Sequence, residues 1–586
     1  MVELLTHVLL FWLITGLLGL PFVLRLPLDP VEKIAVAGGF SLIVLYLLAG
    51  GRYLARLDPR WFWLLPVLAL ATAIACRDEL RRWRDDVDVR SVLRSYALLV
   101  AWSVGWTGLI VSYSGGGWAG DWFEHYDRVR FFLEHQPLDT RLAGLYALPA
   151  RPPLANLVTG VFQAMARGGF ASFQLGSVLL ATLVFWPVCL FARRWGKLSA
   201  DQAAAGAALA LALNPLFLQN TAFSWTKLPT AFLILLGVYC YQEGLRRREA
   251  RLRSLAALLL GAAAITHYSA APYLIALGLV HLWLHRRQWR AAAFWRETVG
   301  LAAIWAALPA TWFAWALAHY GVVTTLASNT TIIGNPLLHV TWWGKAAANL
   351  YNSFVPHPLA TEAGLMAQSS PWGSWRDFFF NIYQVNLPWA LGSVGCVIVV
   401  RGLASAWARG TPDIRRAVAS ALVVTIVTGI VVNGDLDPHG TTHLCLQAIV
   451  LGGVALLAAN WPALPSGWQR ALLLGWAFDF CAGIALQFAN QGLLIDRWLH
   501  PAWSPAEVVA TFSMAARMNF DAKLYLQAAF IGEHYRLPAG LLLAALGAVL
   551  VLLVRHAWRA RAAPEQPLGM IGNATHTPMD GVSSIP

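Results

Sequence analysis

Charge is scarce in this chain: Asp, Glu, Lys and Arg make up 12% of its 586 residues, against 58% that are hydrophobic. A soluble globular protein carries about 25% charged residues, so that class is excluded. Lys33, Lys197, Lys227, Lys345 and Lys523 are the only lysines, and arginine therefore carries the topological signal. Cysteine is sparse too. Cys76, Cys189, Cys240, Cys396, Cys445 and Cys481 are scattered, none paired at metal-ligand spacing, and they read as small buried hydrophobes. There is no HExxH helix and no CxxC pair, and Gly115–Gly116–Gly117 lacks the Lys and Ser/Thr of a phosphate-binding loop. Nothing points to a zinc enzyme or a nucleotide-driven machine. The net charge of +13 sits in short clusters between apolar runs. Membrane topology produces that pattern, and it does not indicate nucleic-acid binding.

What is present is long apolar sequence, with a mean hydropathy of +0.56. Runs fall around 4–24, 33–50, 61–76, 95–112, 170–192, 203–218, 228–244, 254–266, 270–285, 298–318, 385–400, 416–432, 442–459, 471–488 and 538–554. At about 20 residues per crossing they predict an all-α polytopic membrane protein with roughly 13–15 transmembrane helices. Leu4–Leu24 has no basic stretch before it and no small-residue cleavage site, and is expected to be a retained span. The 29 Trp and 27 Phe fit interfacial belts and lipid-facing surface, or a lipid groove. Basic clusters at 77–90, 193–197, 246–253, 286–290, 401–416 and 555–561 all fall on one side if the spans alternate from residue 95 onward. By the positive-inside rule that side is the cytoplasm. The loops at 113–169, 219–227, 266–269, 319–384, 433–441 and 489–537 are then outside. Arg52, Arg56 and Arg60 fall on the wrong side. The expected organisation is N-terminal extra spans (1–94), a core module (95–320) holding the first outer loop 113–169, and a long extracytoplasmic loop (321–384). A C-terminal membrane module (385–561) and a disordered cytoplasmic tail (562–586) complete it.

The outer loops hold the unusual chemistry. Gly120–Asp121–Trp122–Phe123–Glu124–His125–Tyr126–Asp127–Arg128 follows the apolar run Ser95–Ser112. Asp121 and Glu124 are three apart and share a face if helical. Paired carboxylates at a membrane edge suit general-base work or metal binding. A solvated loop with a helix cap at Asp121 is the plain alternative. Arg151–Pro152–Pro153 leads into an amphipathic stretch, Leu154–Met165, expected to lie in the interface. Polar residues recur where other spans meet the outside: Asn220, Trp225 and Lys227; His267 and Tyr268; Asp437, His439 and His443. Basic and hydrogen-bonding groups gathered on one face could bind a lipid phosphate, although a lone Lys or Arg there usually snorkels to the headgroups. Asp479 lies inside an apolar run, where an acid pairs with a neighbouring helix or couples to protons.

These residues resemble the GT-C superfamily of integral-membrane glycosyltransferases. The acidic motif Gly120–Asp121–Trp122–Phe123–Glu124–His125 opens the outer loop after the first core span. Arg151–Pro152–Pro153–Leu154 looks like an Arg-Pro-Pro-Leu element of the protein-mannosyltransferase and aminoarabinose-transferase-like branch. Asn214–Pro215 leading to Trp225–Thr226–Lys227, and His439–Gly440–Thr441–Thr442–His443, are similar to segments of its bacterial members. The resemblance covers roughly 95–460. It implies a polyprenyl-phosphate sugar donor, inversion at the anomeric centre, and an outer-loop Asp acting near the acceptor, here Asp121 with Glu124 as second acid. This chain departs from the pattern in having two residues between the acids and extra apolar runs before residue 95. The expected function is sugar transfer to a glycan, lipid or protein acceptor at the extracytoplasmic face of a bacterial inner membrane. Asp121 would be the base, with Arg151, Lys227, His267 and His443 on the donor phosphate. His125, Tyr126, Trp225, Tyr268 and His439 are further candidates, and a divalent metal ion on Asp121 and Glu124 stays open. The alternatives are a flippase or transporter for lipid-linked sugars and a polysaccharide ligase.

Overall fold

The computed structural model describes residues 2–110, 119–142, 146–166, 169–328, 342–355, 383, 386–408, 412–431, 445–488 and 529–562, with only the backbone at a few positions that include 119–123. Every apolar run read from the sequence carries a helix. Among the described residues the one β feature is an isolated bridge between Leu142 and Tyr146. Among the described residues, six helices are individually long and apolar enough to cross a membrane: Val2–Val23, Pro30–Leu54, Phe170–Gly196, Lys227–Arg246, Ala292–Leu326 and Ala539–Arg561. Two further stretches qualify only as bent pairs. Pro59–Ala75 turns into Arg77–Asp85 through 77°, and Ala200–Ala212 into Pro215–Ala222 through 70°. Other runs fold as shorter apolar helices, among them Leu154–Met165, Tyr268–Leu284 and Gln447–Ala463.

Local chemistry sets these boundaries. Asp29 caps the Pro30–Leu54 helix, accepting from the Glu32 N–H while Glu32 reaches back to the Asp29 N–H, with Pro30 in the first turn. Asn214 makes the 70° bend. Its Oδ1 accepts from the Phe217 N–H at 2.9 Å, starting a new helix at Pro215, and its Nδ2 donates to the Ala390 carbonyl at 2.9 Å. Gly261 allows a close helix crossing: a Cβ there would lie 2.5 Å from the Trp305 carbonyl. Pro309, four residues on, has no N–H to offer that carbonyl.

The basic clusters meet at one end of the bundle. Arg193 donates to Asp29 at 2.6 Å, Arg194 to Glu243 at 2.7 Å, and Arg247 to both Glu243 and Glu32 at 2.6 and 2.8 Å. Lys33 pairs with Glu79 at 3.7 Å, and His556 lies 3.5 Å from Asp201. The Pro30–Leu54 helix starts in this network, so Arg52 emerges at the opposite end, against the positive-inside pattern. Burial explains it. Arg52 is 6% exposed, and its guanidinium donates to the carbonyls of Leu57, Phe132 and Leu133 at 2.6, 2.9 and 3.1 Å. It closes the C-terminal end of the Ala119–Glu134 helix, a structural cation rather than a topological one.

One expectation narrows here and two change. Asp479 is fully buried, yet its Oδ2 accepts from the Ser393 N–H and hydroxyl at 2.8 and 3.2 Å, and its Oδ1 from the Tyr383 hydroxyl at 3.3 Å. It caps the Ser393–Ala408 helix from outside, which accounts for the acid without proton coupling. Gly392, at φ 91°, must be glycine, because a Cβ would come within 2.8 Å of that carboxylate. The Leu154–Met165 helix is enclosed rather than interfacial: every residue from Leu154 to Phe162 is buried. On its polar side Asn156 meets His125 of the Ala119–Glu134 helix, and Thr159 donates back to the Ala155 carbonyl. Cys481 is exposed, unlike Cys76, Cys189, Cys240 and Cys445, which are buried as expected.

Candidate active site

At the end away from the basic network, four segments converge: the Ala119–Glu134 helix, the turn 147–153, the stretch Ser224–Lys227, and the turn after Ala264. Asp121 lies in the first turn of the Ala119–Glu134 helix with Glu124 three residues on, so the expected shared face is present in the backbone. The Asp121 side chain, His439 and His443 lie outside the described part of the structure.

Glu124 is completely buried and belongs to a salt-bridged cluster. Arg128, one helical turn on, grips its Oε1 through both Nη2 and Nε, the latter at 3.1 Å. Arg151 Nε stands 3.8 Å from its Oε2, an oxygen with no hydrogen-bond donor among the described residues. Burial would raise the Glu124 carboxyl pKa, but Arg128, then Arg151 and His125, outweigh it and hold it below the usual carboxylate value. Glu124 is thus a fixed anion. Its neighbours are guanidiniums, which repel a cation, and among the described residues no three His, Cys, Asp or Glu side chains converge to hold a metal ion. The surroundings of Glu124 do not fit a metal ligand.

Arg128 was not among the residues the sequence singled out. It is 1% exposed, and besides Glu124 it donates to the carbonyls of Leu148, of Arg151 at 3.2 Å and of Ala147 at 3.3 Å. It therefore shapes the turn that presents Arg151. Tyr268 braces the same turn by donating to the Pro149 carbonyl at 2.9 Å, and burial pushes its phenol up to about 12. The Leu154 N–H donates to the Ile265 carbonyl at 2.9 Å, fixing the turn against the strip that holds His267.

The two histidines at the site are kept neutral. Burial lowers His125 to about 3, with Arg128 and Arg151 adding to the effect, and its Nδ1 lies 3.1 Å from Asn156 Oδ1. Burial, then Arg151, Lys227 and His125, also take His267 well below its ordinary value. Its Nδ1 accepts from the Ser269 N–H at 3.0 Å, which leaves the imidazole proton on Nε2. Asn156, also overlooked in the sequence, is 1% exposed, and its Nδ2 has no hydrogen-bond partner among the described residues. Lys227 opens the Lys227–Arg246 helix and is 5% exposed, its ammonium 4.1 Å above the Trp225 ring. Arg151 stacks on Tyr146 at 5.8 Å. Tyr126 packs among Phe170 and Phe173 at 5.3 and 5.5 Å, in the core beneath the site.

The cluster gathers Glu124, Arg128 and Lys227, all buried, with the partly exposed Arg151, and both histidines are neutral. A cation at a helix N-terminus, as at Lys227, opposes the helix dipole. An anion bound at that N-terminus would lie along the dipole rather than against it.

No protein-family profile matches the chain, and no curated protein matches it. Two solved structures are similar to it, both of ArnT from Cupriavidus metallidurans. The one bound to undecaprenyl phosphate is 16% identical over 81% of this chain and 79% of that one, with a TM-score of 0.46. The apo form is 16% identical over 81% and 78%, with a TM-score of 0.43.

Proposed function

We propose that the chain is a membrane glycosyltransferase of the GT-C type, taking a sugar from a polyprenyl-phosphate donor at its extracytoplasmic face. The observation that carries this reading is the meeting of Arg151, Lys227 and His267 at one end of the bundle, beside the Glu124–Arg128 pair. Arg151 and Lys227 bind the donor phosphate, and His267 donates to it through Nε2–H. The acceptor hydroxyl attacks the anomeric carbon from the face opposite the phosphate. Its proton passes to Asp121, the sugar–phosphate bond breaks, and the configuration inverts. The leaving lipid phosphate departs as an anion already matched by the cations. Glu124 keeps Arg151 in place and is too strong an acid to serve as the base. A cavity of about 220 Å³ lined by Tyr46, Leu54, Phe132, Pro153, Trp312 and Trp315 adjoins the Arg151–Pro153 turn. Its apolar walls suit isoprenoid units.

Losing one charge-assisted contact to a buried phosphate costs about 1.5–3 kcal/mol, or roughly 10- to 100-fold in transfer efficiency. Arg151→Ala and Lys227→Ala are each expected to show that loss in transfer from a lipid-phosphate sugar by purified protein. Normal turnover by both would make them membrane anchors and remove the phosphate site.

Sidedness is tested separately. In a Cys481→Ser background, a membrane-impermeant thiol reagent on intact cells is expected to label Leu138→Cys, exposed in the loop after the Ala119–Glu134 helix, and to spare Arg248→Cys in the basic cluster. The reverse pattern would put the site in the cytoplasm.

A further inference from the structure

One hydrogen-bonded pair at the site has no task in the transfer described above. His125 belongs to the Ala119–Glu134 helix and Asn156 to the first turn of the Leu154–Met165 helix. They are 3% and 1% exposed, and His125 Nδ1 lies 3.1 Å from Asn156 Oδ1. Glu124, Arg128 and Arg151 act electrostatically on His125, and His125 in turn acts on His267. The pair therefore stands where Arg151 and His267 meet. Pro153 and Leu157, on either side of Asn156 in the chain, line the cavity of about 220 Å³ described above, so open space reaches the same helical turn.

What the pair leaves over is one donor and one acceptor. A neutral imidazole has one N–H and one bare nitrogen. With Nδ1–H given to Asn156 Oδ1, His125 Nε2 remains as an acceptor. Asn156 Nδ2 remains as a donor, buried and without a hydrogen-bond partner among the described residues. Turning the carboxamide over reverses both roles: Nδ2 then donates to Nδ1, leaving Oδ1 to accept and Nε2–H to donate. Either arrangement presents a donor and an acceptor. A buried polar group left unmet costs free energy, and a hydroxyl answers both needs because it donates and accepts. Arg151 and Lys227 can only donate, which suits phosphate oxygens instead.

We propose that His125 and Asn156 bind a ring hydroxyl of the donor sugar and so determine which sugar is accepted, while Arg151 and Lys227 hold the phosphate. This rests on the lipid-phosphate donor reading above. A site built to bond a hydroxyl rejects an analogue that places none there, because its own polar groups are then left unmet.

The test is the affinity of the purified full chain for decaprenyl phosphate and for its glucose, mannose, allose and galactose esters in one anomeric linkage. The last three each differ from glucose at a single ring hydroxyl, so together they sample every one. The wild type is expected to separate at least one epimer from the rest by about 3- to 10-fold, the worth of a hydrogen bond. Asn156→Leu is expected to bind all four sugars alike while its affinity for decaprenyl phosphate stays at the wild-type value. Asn156→Ala adds no bulk and is expected to do the same, which keeps the test open if the leucine variant does not fold. Arg151→Ala should weaken all five lipids and leave the spread among the sugars. An undiminished spread in the Asn156 variants would overturn the proposal and assign the amide to a bound water or to the fold. So would the absence of any spread in the wild type, or a loss of decaprenyl phosphate binding in the Asn156 variants. Failure of the wild type to bind decaprenyl phosphate would instead remove the donor reading, and this inference with it.

Discussion

Asp121→Asn is expected to lower sugar transfer by about 10²–10⁴-fold, the usual contribution of a general base, while folding and donor affinity stay near wild type. Asn keeps the shape and hydrogen bonding but cannot take the acceptor proton. The structure sharpens this expectation by occupying the other carboxylate: Glu124 is buried, gripped by Arg128 and faced by Arg151. The two acids of the motif therefore have different tasks. Glu124→Gln should act through Arg151, weakening donor binding, whereas Asp121→Asn should act on turnover. Transfer rates with donor affinity measured in parallel separate the two. Wild-type turnover by Asp121→Asn would return that residue to a helix-capping role.

The second large effect concerns stability. Arg128→Ala leaves Glu124 as a buried carboxylate without its main partner and strips a donor from the carbonyls of Ala147, Leu148 and Arg151. Breaking a buried ion pair from one side costs about 3–5 kcal/mol, a large share of the roughly 5–15 kcal/mol that holds a typical protein folded. A clear drop in the thermal unfolding midpoint in detergent is expected. The double variant Glu124→Gln with Arg128→Met should recover much of it, because removing both charges leaves neither stranded. It should not recover transfer, since Arg151 then loses both its counter-ion and the clamp on its turn. An unchanged midpoint in Arg128→Ala would show that the cluster does not support the fold.

The apolar runs were legible because a stretch of such residues has few folds open to it besides a helix. What the runs could not show was which of them cross alone, because a bend such as that at Asn214 depends on one side chain and its bond to Ala390, far along the chain. The convergence of Glu124, Arg151, Lys227 and His267 at one end was visible from span alternation. Arg128 could have been found from its spacing of four from Glu124. Its work on the Ala147–Arg151 turn could not, since those carbonyls carry no sequence signature. Asn156 was hidden in the same way among apolar neighbours. Arg52 was conspicuous but misleading, and Asp479 was conspicuous with two readings open: their partners lie 86 (Asp479) and about 80 (Arg52) residues away, and charge on its own does not reveal a cap.

The clamps on the Pro30–Leu54 helix also make it a ruler. Glu32 is fixed by Arg247 and Tyr239 at one end, and Arg52 by the carbonyls of Phe132 and Leu133 at the other. Twenty helical residues separate the two, a rise of about 30 Å, close to the thickness of a hydrocarbon core. This strut sets the spacing between the basic network and the helix that bears Asp121. A thicker or thinner bilayer must therefore deform around it, because tilting the strut alone would pull apart one of its two polar anchors.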